Sequence, residues 1–354
     1  MWFGNFFQST CARGEFRHLY PRDRFRAALD RERARADRWA QPLALLSLGV
    51  TSARQGENTL HQVARILTRR MRVTDEAGWL DHRNIGILMP NTPGWGAWTV
   101  ADEICREFPD SVPLPQCKVF CYPSNWFLNI DNPHGDLLRL LAGEGATEPL
   151  EPFFFQRLPL WKRALDILGA SAALLVHLPL MLLVAAVTRL TSRGPILFAQ
   201  RRAGLGGRPF TMYKFRTMVV DAERHQAGLR EQSEQDGPAF KLTKDPRVTR
   251  LGRILRATSI DELPQLWNVL KGDMSLVGPR PLPCAESEAC RGWQRQRLDV
   301  TPGLTCIWQI YGRSCVSFAD WVRMDLRYIR ARSLANDLKL IALTVPALFF
   351  RRGK

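Results

Sequence analysis

Two adjacent carboxylates, Asp261 and Glu262, stand between Arg256 and Arg280 in a strongly basic part of the sequence. Arginine presents a planar fork of N–H donors that fits phosphate oxygens. A neighbouring carboxylate can hold a hard divalent cation or act as a nucleophile. These residue types at this spacing predict phosphate chemistry, with Asp261 and Glu262 as the candidate reactive pair.

The local structure around this pair has two interpretations. Ser259 to Glu262 fits a capping box, with Ser259 at the helix N-cap and Glu262 reaching back to it. Alternatively, Pro264 occupies the first helical position, and both carboxylates precede the helix. In either placement the positive end of the helix dipole favours ionised carboxylates, so Asp261 can act as a nucleophile at neutral pH. A purely structural capping role is the alternative to catalysis.

Charge is divided unevenly along the 354 residues, which are enough for two domains. Residues 1–150 contribute +1 and residues 151–354 contribute +15 to the formal net charge of +16. A basic half favours polyanionic partners, either nucleic acid, anionic lipid headgroups or phosphorylated substrates. Nucleic acid is disfavoured, because no zinc-finger spacing, aromatic RNA-binding signature or leucine zipper is present. The eight cysteines lack metal-site spacing, which is typical of reduced thiols in a cytoplasmic compartment.

Residues 164–188 are mainly apolar, carry a single formal charge, Asp166, and would span about 37 Å as one straight helix, enough to cross a bilayer. Pro179 lies near the middle and removes a helical hydrogen bond. Basic residues flank both ends, which favours both ends on the cytoplasmic side: Lys162, Arg163, Arg189 and Arg193. We therefore expect a helix hairpin that enters one leaflet, breaks near His177 and Pro179, and returns. A buried hairpin in a soluble protein is the alternative.

Several motifs follow in a fixed order. Residues 194–218, GPILFAQRRAGLGGRPFTMYKFRTM, contain F-x-Q-x-R, G-x-x-G and YKFRTM, and DPRVTR occupies residues 245–250. DELPQLWNVLKGDMSLVGPRP, PGLT and YGRS come next. This ordered set resembles the bacterial sugar transferases, which are monotopic phosphoglycosyl transferases. Taken alone, the glycines also suit a hairpin turn, and the neighbouring arginines suit solvent or lipid headgroups: Arg201, Arg202 and Arg208.

The resemblance implies an enzyme that moves a sugar 1-phosphate from a nucleotide diphosphate sugar, with UDP as the expected nucleotide, to polyprenyl (undecaprenyl) phosphate. Asp261 would form a covalent phosphosugar-aspartate, and Glu262 would bind Mg²⁺ together with Asp261. The expected phosphate-binding residues are Lys214, Arg256, Arg280 and Arg313. The expected location is the cytoplasmic face of a bacterial inner membrane, in contact with membrane lipid. The product would begin the synthesis of an exopolysaccharide, capsule or O-antigen type glycan.

Two positions depart from the family pattern. The family often has serine before the hairpin proline, where this chain has Leu178. Cys306 replaces the glycine that usually follows PGLT, so we expect a less close backbone approach there. Both substitutions are local, and the proline of the hairpin is retained as Pro179.

The first half of the chain has a β-α-β-β-α pattern. The predicted elements are helix 22–38, strand 43–50, helix 60–72, a strand pair within 79–89 and helix 94–108. This order is typical of a ferredoxin-like sandwich and resembles a degenerate diguanylate cyclase (GGDEF) domain. Residues 81–85 read DHRNI where the cyclases carry Gly-Gly-Asp-Glu-Phe, and the first strand runs into GVT without a metal-binding aspartate. We therefore expect no cyclase activity.

The predicted fold class is α+β, in two domains. Residues 1–130 form the degenerate cyclase-like domain, residues 131–156 a linker, and residues 157–354 a mainly α-helical monotopic catalytic domain with the re-entrant hairpin at 164–188. A noncatalytic, membrane-docked signalling scaffold is the main alternative function, and a polyprenyl-linked hydrolase is another. The oligomeric state is left open between a monomer and a homo-oligomer.

Overall fold

The computed structural model describes residues 19–50, 56–124, 146–224, 226–311 and 316–349. It divides into two compact units, Met1–Phe154 and Phe155–Lys354, each of which mixes helices and strands.

Within its described residues, the first unit has a five-stranded sheet and three α-helices. Its elements, in chain order, are α1 (Arg22–Trp39), β1 (Leu43–Gly49), α2 (Gly56–Arg70), β2 (Glu76–Trp79), β3 (Asn84–Pro90), α3 (Gly94–Arg106), β4 (Gln116–Tyr122) and β5 (Thr147–Pro149). The strand order is β2-β3-β1-β4-β5, with β1 antiparallel to both of its neighbours and β5 parallel to β4. The first four strands have the predicted ferredoxin-like order.

Strand β1 is buried along its whole length because helices cover both faces of the sheet. Alternate residues of a strand point to opposite faces, so Leu46 packs in the core beneath α2 and α3, whereas Leu45 packs in the core beneath α1. This explains why β1 reads as a continuous apolar run rather than an alternating one.

The end of the predicted linker belongs to the first unit. Residues 147–149 form strand β5, and Glu151–Phe154 forms a 3₁₀ turn. Leu150 and Phe154 are buried in the core with Phe25. Removing their apolar side chains from water stabilises this arrangement. Residues 131–145 of the predicted linker lie outside the described residues.

The second unit is mainly helical. Its strands form two small sheets, the antiparallel hairpin β6 (Leu197–Ala203) and β7 (Pro209–Phe215), and the parallel pair β8 (Ser275–Val277) and β9 (Gly303–Thr305). The helices are α4 (Leu160–Thr191), α5 (Gln226–Leu229), α6 (Arg250–Thr258), α7 (Gln265–Lys271), α8 (Cys284–Glu288), α9 (Ile307–Tyr311), α10 (Phe318–Arg330) and α11 (Leu334–Phe349).

Helix α4 contains the predicted membrane segment as one run of 32 helical residues with Pro179 inside it. Its most apolar 18-residue window has a mean hydropathy of 2.3 and is 11% buried, so the helix is long and apolar enough to cross a membrane. The helical pattern continues through Pro179, and a hairpin break there stays a prediction.

The glycine cluster after β6 forms the β6–β7 turn. Gly206 and Gly207 have φ values of 60° and 76°, in the left-handed region that glycine adopts more readily than residues with a Cβ. A Cβ on Gly206 would also lie 2.2 Å from the ring of Phe155. These glycines therefore serve the turn, as the structural interpretation of the sequence had it.

Candidate active site

The carboxylate pair lies in a 3₁₀ turn, Ile260–Glu262, between helices α6 and α7. Ser259 adopts the left-handed conformation, with φ at 56°, and makes no capping bond with its side chain. The capping-box prediction was therefore wrong. Pro264 is the N-cap of α7 rather than its first residue, so both carboxylates precede that helix.

A close contact sets the position of helix α6. A Cβ on Gly252 would lie 2.0 Å from the carbonyl oxygen of Thr217, so only glycine allows the helix to come this near to the strand end. The Thr249 side chain accepts a hydrogen bond from Gly252 N at 3.0 Å and caps the helix. One turn later Arg256 Nε donates to Thr217 Oγ1 at 3.0 Å, which directs this arginine towards the carboxylates.

Helix α7 fixes the neighbouring strand through Asn268. The buried Asn268 side chain accepts from the backbone N of Tyr213 at 3.1 Å and donates to the carbonyl of Thr211 at 2.7 Å. An amide side chain can replace a strand partner in this way because it offers both a donor and an acceptor. The next residue along β7 is Lys214, which this contact places beside Glu262.

Glu262 is held by two cations. Lys214 Nζ lies 2.9 Å from Glu262 Oε1, and Arg280 donates to both oxygens, with 3.3 Å between Nη1 and Oε2. Burial by itself raises the pKa of Glu262, but Arg280 and Lys214 more than offset it, and the pKa lies below its ordinary value. Glu262 is therefore an ionised, firmly oriented carboxylate.

Asp261 has a different environment. It is 7% exposed and lines the same cleft, yet within the described residues its carboxylate accepts no hydrogen bond and has no ion-pair partner within 4.0 Å. Burial raises the pKa of Asp261, whereas Lys214 acts to lower it. A carboxylate that is desolvated and not hydrogen bonded keeps its lone pairs for a substrate, which suits a nucleophile.

These residues share a cleft of about 770 Å³. Its charged lining residues are Arg202, Lys214, Arg216, Asp221, Glu223, Arg224, Lys241, Asp245, Arg247, Arg256, Asp261, Glu262, Arg280 and Glu286. The structure thus brings together Asp261, Glu262, Lys214, Arg256 and Arg280 in one cleft, and their roles in catalysis and phosphate binding stay predictions. Arg313 lies outside the described residues.

Sequence reasoning missed several residues around Arg280. With its amide oxygen turned towards the guanidinium, Gln309 accepts from Arg280 Nη1 at 2.6 Å and donates to the carbonyl of Leu304 at 3.1 Å. The buried Arg297 donates to the backbone oxygen of Arg280 at 2.7 Å and forms an ion pair with Asp325 at 2.8 Å. Only the W-Q string near Gln309 offered a signal for these contacts.

The region of the Cys306 substitution is well packed. Cys306 is buried, which raises the pKa of its thiol to about 12. The closest backbone approach occurs at Gly303, where a Cβ would lie 2.0 Å from the backbone N of Gly278. The close contact therefore does not depend on a glycine at position 306.

Two carboxylates are available to a divalent cation. Glu262 already accepts three hydrogen bonds on its two oxygens, whereas Asp261 keeps all of its acceptor positions. No group of three or more metal-ligating side chains occurs in the part of the chain that the structure describes. The pair fits Mg²⁺, which binds one or two carboxylates and completes its shell with phosphate oxygens and water.

Residues 157–351 match the bacterial sugar transferase family, which covers more than half of the sequence. The chain belongs to this family. It is 44% identical over 194 residues to the galactosyl transferase CpsE of Streptococcus agalactiae, and 41% identical over 199 residues to the exopolysaccharide production protein ExoY of Rhizobium meliloti. These alignments cover 54% of this chain, 43% of CpsE and 87% of ExoY, so the chain spans less than half of the first relative.

A third relative is the UDP-glucose:undecaprenyl-phosphate glucose-1-phosphate transferase of Caulobacter vibrioides. It is 44% identical over 197 residues, which cover 53% of this chain and 69% of that protein. Solved structures that are similar to this chain include the active GGEEF domain of a diguanylate cyclase from Vibrio cholerae, at 19% identity and a TM-score of 0.26. That alignment covers 30% of this chain and 78% of the cyclase domain.

Proposed function

We propose that this chain transfers a sugar 1-phosphate from a UDP-sugar to undecaprenyl phosphate at a membrane surface. The observation that carries the proposal is the contrast between two neighbouring carboxylates. Glu262 is bound by both Lys214 and Arg280, whereas Asp261 faces the cleft without a hydrogen-bond partner among the described residues. Names of the relatives support the substrate classes, because the Caulobacter protein is a UDP-glucose:undecaprenyl-phosphate glucose-1-phosphate transferase.

The reaction proceeds in two displacements. An oxygen of Asp261 attacks the sugar-bearing phosphorus, and the bond from that phosphorus to the bridging oxygen breaks, which releases a nucleoside monophosphate. An oxygen of undecaprenyl phosphate then attacks the phosphosugar-aspartate, and the Asp261 carboxylate is regenerated. Each step moves negative charge onto phosphate oxygens, which Arg280, Lys214 and Arg256 can stabilise. Bound Mg²⁺, held by Asp261 and the remaining acceptor position of Glu262, would neutralise further phosphate charge.

We also propose that helix α4 enters the membrane as a re-entrant hairpin. Ala170 shares a core cluster with Met212 of β7, and the carbonyl of Ser192 accepts from Arg216, four residues after Met212. Those four residues span about 13 Å in an extended chain, but the 22 residues from Ala170 to Ser192 would span about 33 Å in a straight helix. Because both ends of this helical segment contact the β6–β7 region, a bend of helix α4 near Pro179 is favoured.

Pro179 also weakens the helix at this point. It has no N–H, so the carbonyl of Leu175, four residues earlier, loses its helical hydrogen bond. His177 Nδ1 lies 2.8 Å from the carbonyl oxygen of Ala173, so the imidazole has a backbone partner inside the apolar segment. Tags at residues 1 and 354 should both be reachable only from the cytoplasmic side, and tags on opposite faces would exclude the hairpin.

Purified chain in detergent, supplied with radiolabelled UDP-glucose or UDP-galactose and undecaprenyl phosphate, tests the main proposal. The expected products are a labelled lipid and UMP in equal amounts, and both should be lost in Asp261→Asn. Free sugar phosphate without labelled lipid would instead indicate a hydrolase. No turnover of either donor, with intact binding to lipid vesicles, would favour the noncatalytic scaffold.

A further inference from the structure

Arg202 is a cleft residue for which the transfer mechanism has so far given no role. It lies in β6, and two hydrogen bonds fix its guanidinium beside Arg280. Arg202 Nη1 donates to the carbonyl of Pro281 at 2.7 Å, and Nε donates to Gln200 Oε1 at 2.9 Å. The remaining nitrogen, Nη2, has no hydrogen-bond partner in the described part of the chain.

The charge of Arg202 is also unbalanced. Within residues 19–50, 56–124, 146–224, 226–311 and 316–349, no carboxylate lies within 4.0 Å of its guanidinium. Burial and the neighbouring Arg280 together lower the pKa of Arg202 to about 10, although Glu286 and Glu262 act from a distance to raise it. Holding a desolvated cation in this way is unfavourable unless an anion completes the arrangement.

Other arginines of the cleft differ in this respect. Arg247 forms an ion pair with Asp245 at 2.7 Å, and Arg216 donates to the backbone oxygens of Ser192 and Arg193 at 3.0 Å. Both therefore serve the protein structure. Arg202 is a fixed cation that faces the cleft with a free donor.

We propose that Arg202, together with Arg280, binds a phosphate group of a substrate at the β6 side of the cleft. A pre-positioned guanidinium suits phosphate, because its free Nη2 can donate charge-assisted hydrogen bonds to phosphate oxygens. The inference rests on the proposed transfer reaction and adds a substrate-binding residue to it. The phosphate belongs either to the nucleotide sugar or to undecaprenyl phosphate, and measuring KM for each substrate distinguishes these two sources.

The test compares Arg202→Gln with Arg201→Gln. Arg201 precedes Arg202 in the same strand, is exposed, and points to the opposite face, so both variants lose one positive charge from β6. We expect Arg202→Gln to lower kcat/KM by about 10- to 100-fold, as for the loss of a charged hydrogen bond. The kcat/KM of the Arg201→Gln variant should stay within about twofold of the value for the unsubstituted chain.

The substrate is identified by two separate measurements. A raised KM for UDP-sugar and a smaller thermal stabilisation by UDP would assign the contact to the nucleotide sugar. A raised KM for undecaprenyl phosphate, with UMP release in the absence of lipid unchanged, would assign it to the lipid phosphate. Equal values for Arg202→Gln and Arg201→Gln in all of these measurements would overturn the inference.

The outcome remains distinct from failure of the transfer proposal. UDP stabilisation is a binding measurement, so it reports on Arg202 even if the original chain produced no labelled lipid. If Arg202→Gln does not accumulate, Arg202→Lys retains the charge but loses the fork geometry. A partial loss of the thermal stabilisation by UDP, or a partial rise in KM for undecaprenyl phosphate, would support the inference. Values equal to those of the unsubstituted chain would contradict it.

Discussion

The attachment of helix α4 to the rest of the second unit depends on a buried ion pair that can be tested directly. Lys162 and Asp337 are 2% and 0% exposed and form an ion pair between α4 and α11. Lys162 also donates to the carbonyl of Val277 at 2.9 Å, and Tyr328 donates to Asp337 at 2.9 Å. These bonds attach the first turn of α4 to strand β8 and to helix α11.

Lys162→Met removes one partner and leaves the Asp337 carboxylate buried with a single hydroxyl donor, Tyr328. Breaking a buried pair in this way costs about 3–5 kcal/mol. For a unit of this size, 1 kcal/mol corresponds to about 2–4 °C in Tm, so a decrease of roughly 6–20 °C is expected. The double variant Lys162→Met/Asp337→Leu should recover part of the loss, because it removes the unpaired charge.

Lys271→Met is the matched control in the same unit. Lys271 pairs with Asp273 at 2.9 Å, but its side chain is 47% exposed, so the expected cost is about 0–1 kcal/mol. The measurement is the fraction of each detergent-solubilised variant that stays soluble after heating. If Lys162→Met and Lys271→Met lose solubility at the same temperature, the buried pair does not anchor the helix.

Three further predictions concern the cleft and the first unit. Gly252→Ala should lower transfer activity by at least about 10-fold through its clash with Thr217, whereas Gly228→Ala, with open space at its Cβ, should not; equal activities would contradict the close contact. Transfer should decline as the pH falls through the raised pKa of Asp261, since the protonated carboxyl is a poor nucleophile, and Lys214→Met should shift this decline to higher pH. A pH profile unchanged in Lys214→Met would argue against that coupling. Finally, the purified first unit should make no cyclic dinucleotide from GTP with any divalent metal, and detectable product would refute this expectation.

The secondary structure of the first unit was predictable because local pattern and tertiary packing agree there. Helix 22–38 and strand 43–50 were predicted within one residue of the observed Arg22–Trp39 and Leu43–Gly49. The strand and the 3₁₀ turn at the end of the linker were not predictable, because the sequence around Leu150 has many polar and proline residues. Their structure depends on the pairing of β5 with β4 and on the burial of two apolar side chains.

At the site, residue types were predictable but their contacts were not. The carboxylates and arginines suggested phosphate chemistry, yet the difference between Asp261 and Glu262 arises from Arg280, 18 residues later, and from Lys214, 48 residues earlier in the chain. The capping-box pattern at Ser259 was misleading because Ser259 adopts the left-handed conformation and Glu262 forms ion pairs with two cations instead. Arg202 could not be distinguished from Arg201 by sequence, since only strand pairing determines which of the two faces the cleft.

The covalent intermediate is the most direct test of the proposed mechanism. The chain is incubated with a UDP-sugar labelled in the sugar, without lipid, and the protein is then digested and analysed by mass spectrometry. The mechanism predicts one phosphosugar on Asp261 and an equal amount of released UMP, with neither formed by Asp261→Asn. Normal turnover with undecaprenyl phosphate, but no phosphosugar on Asp261 and no UMP release without lipid, would contradict the covalent route. A direct displacement, with Asp261 as a general base or metal ligand, would then replace it.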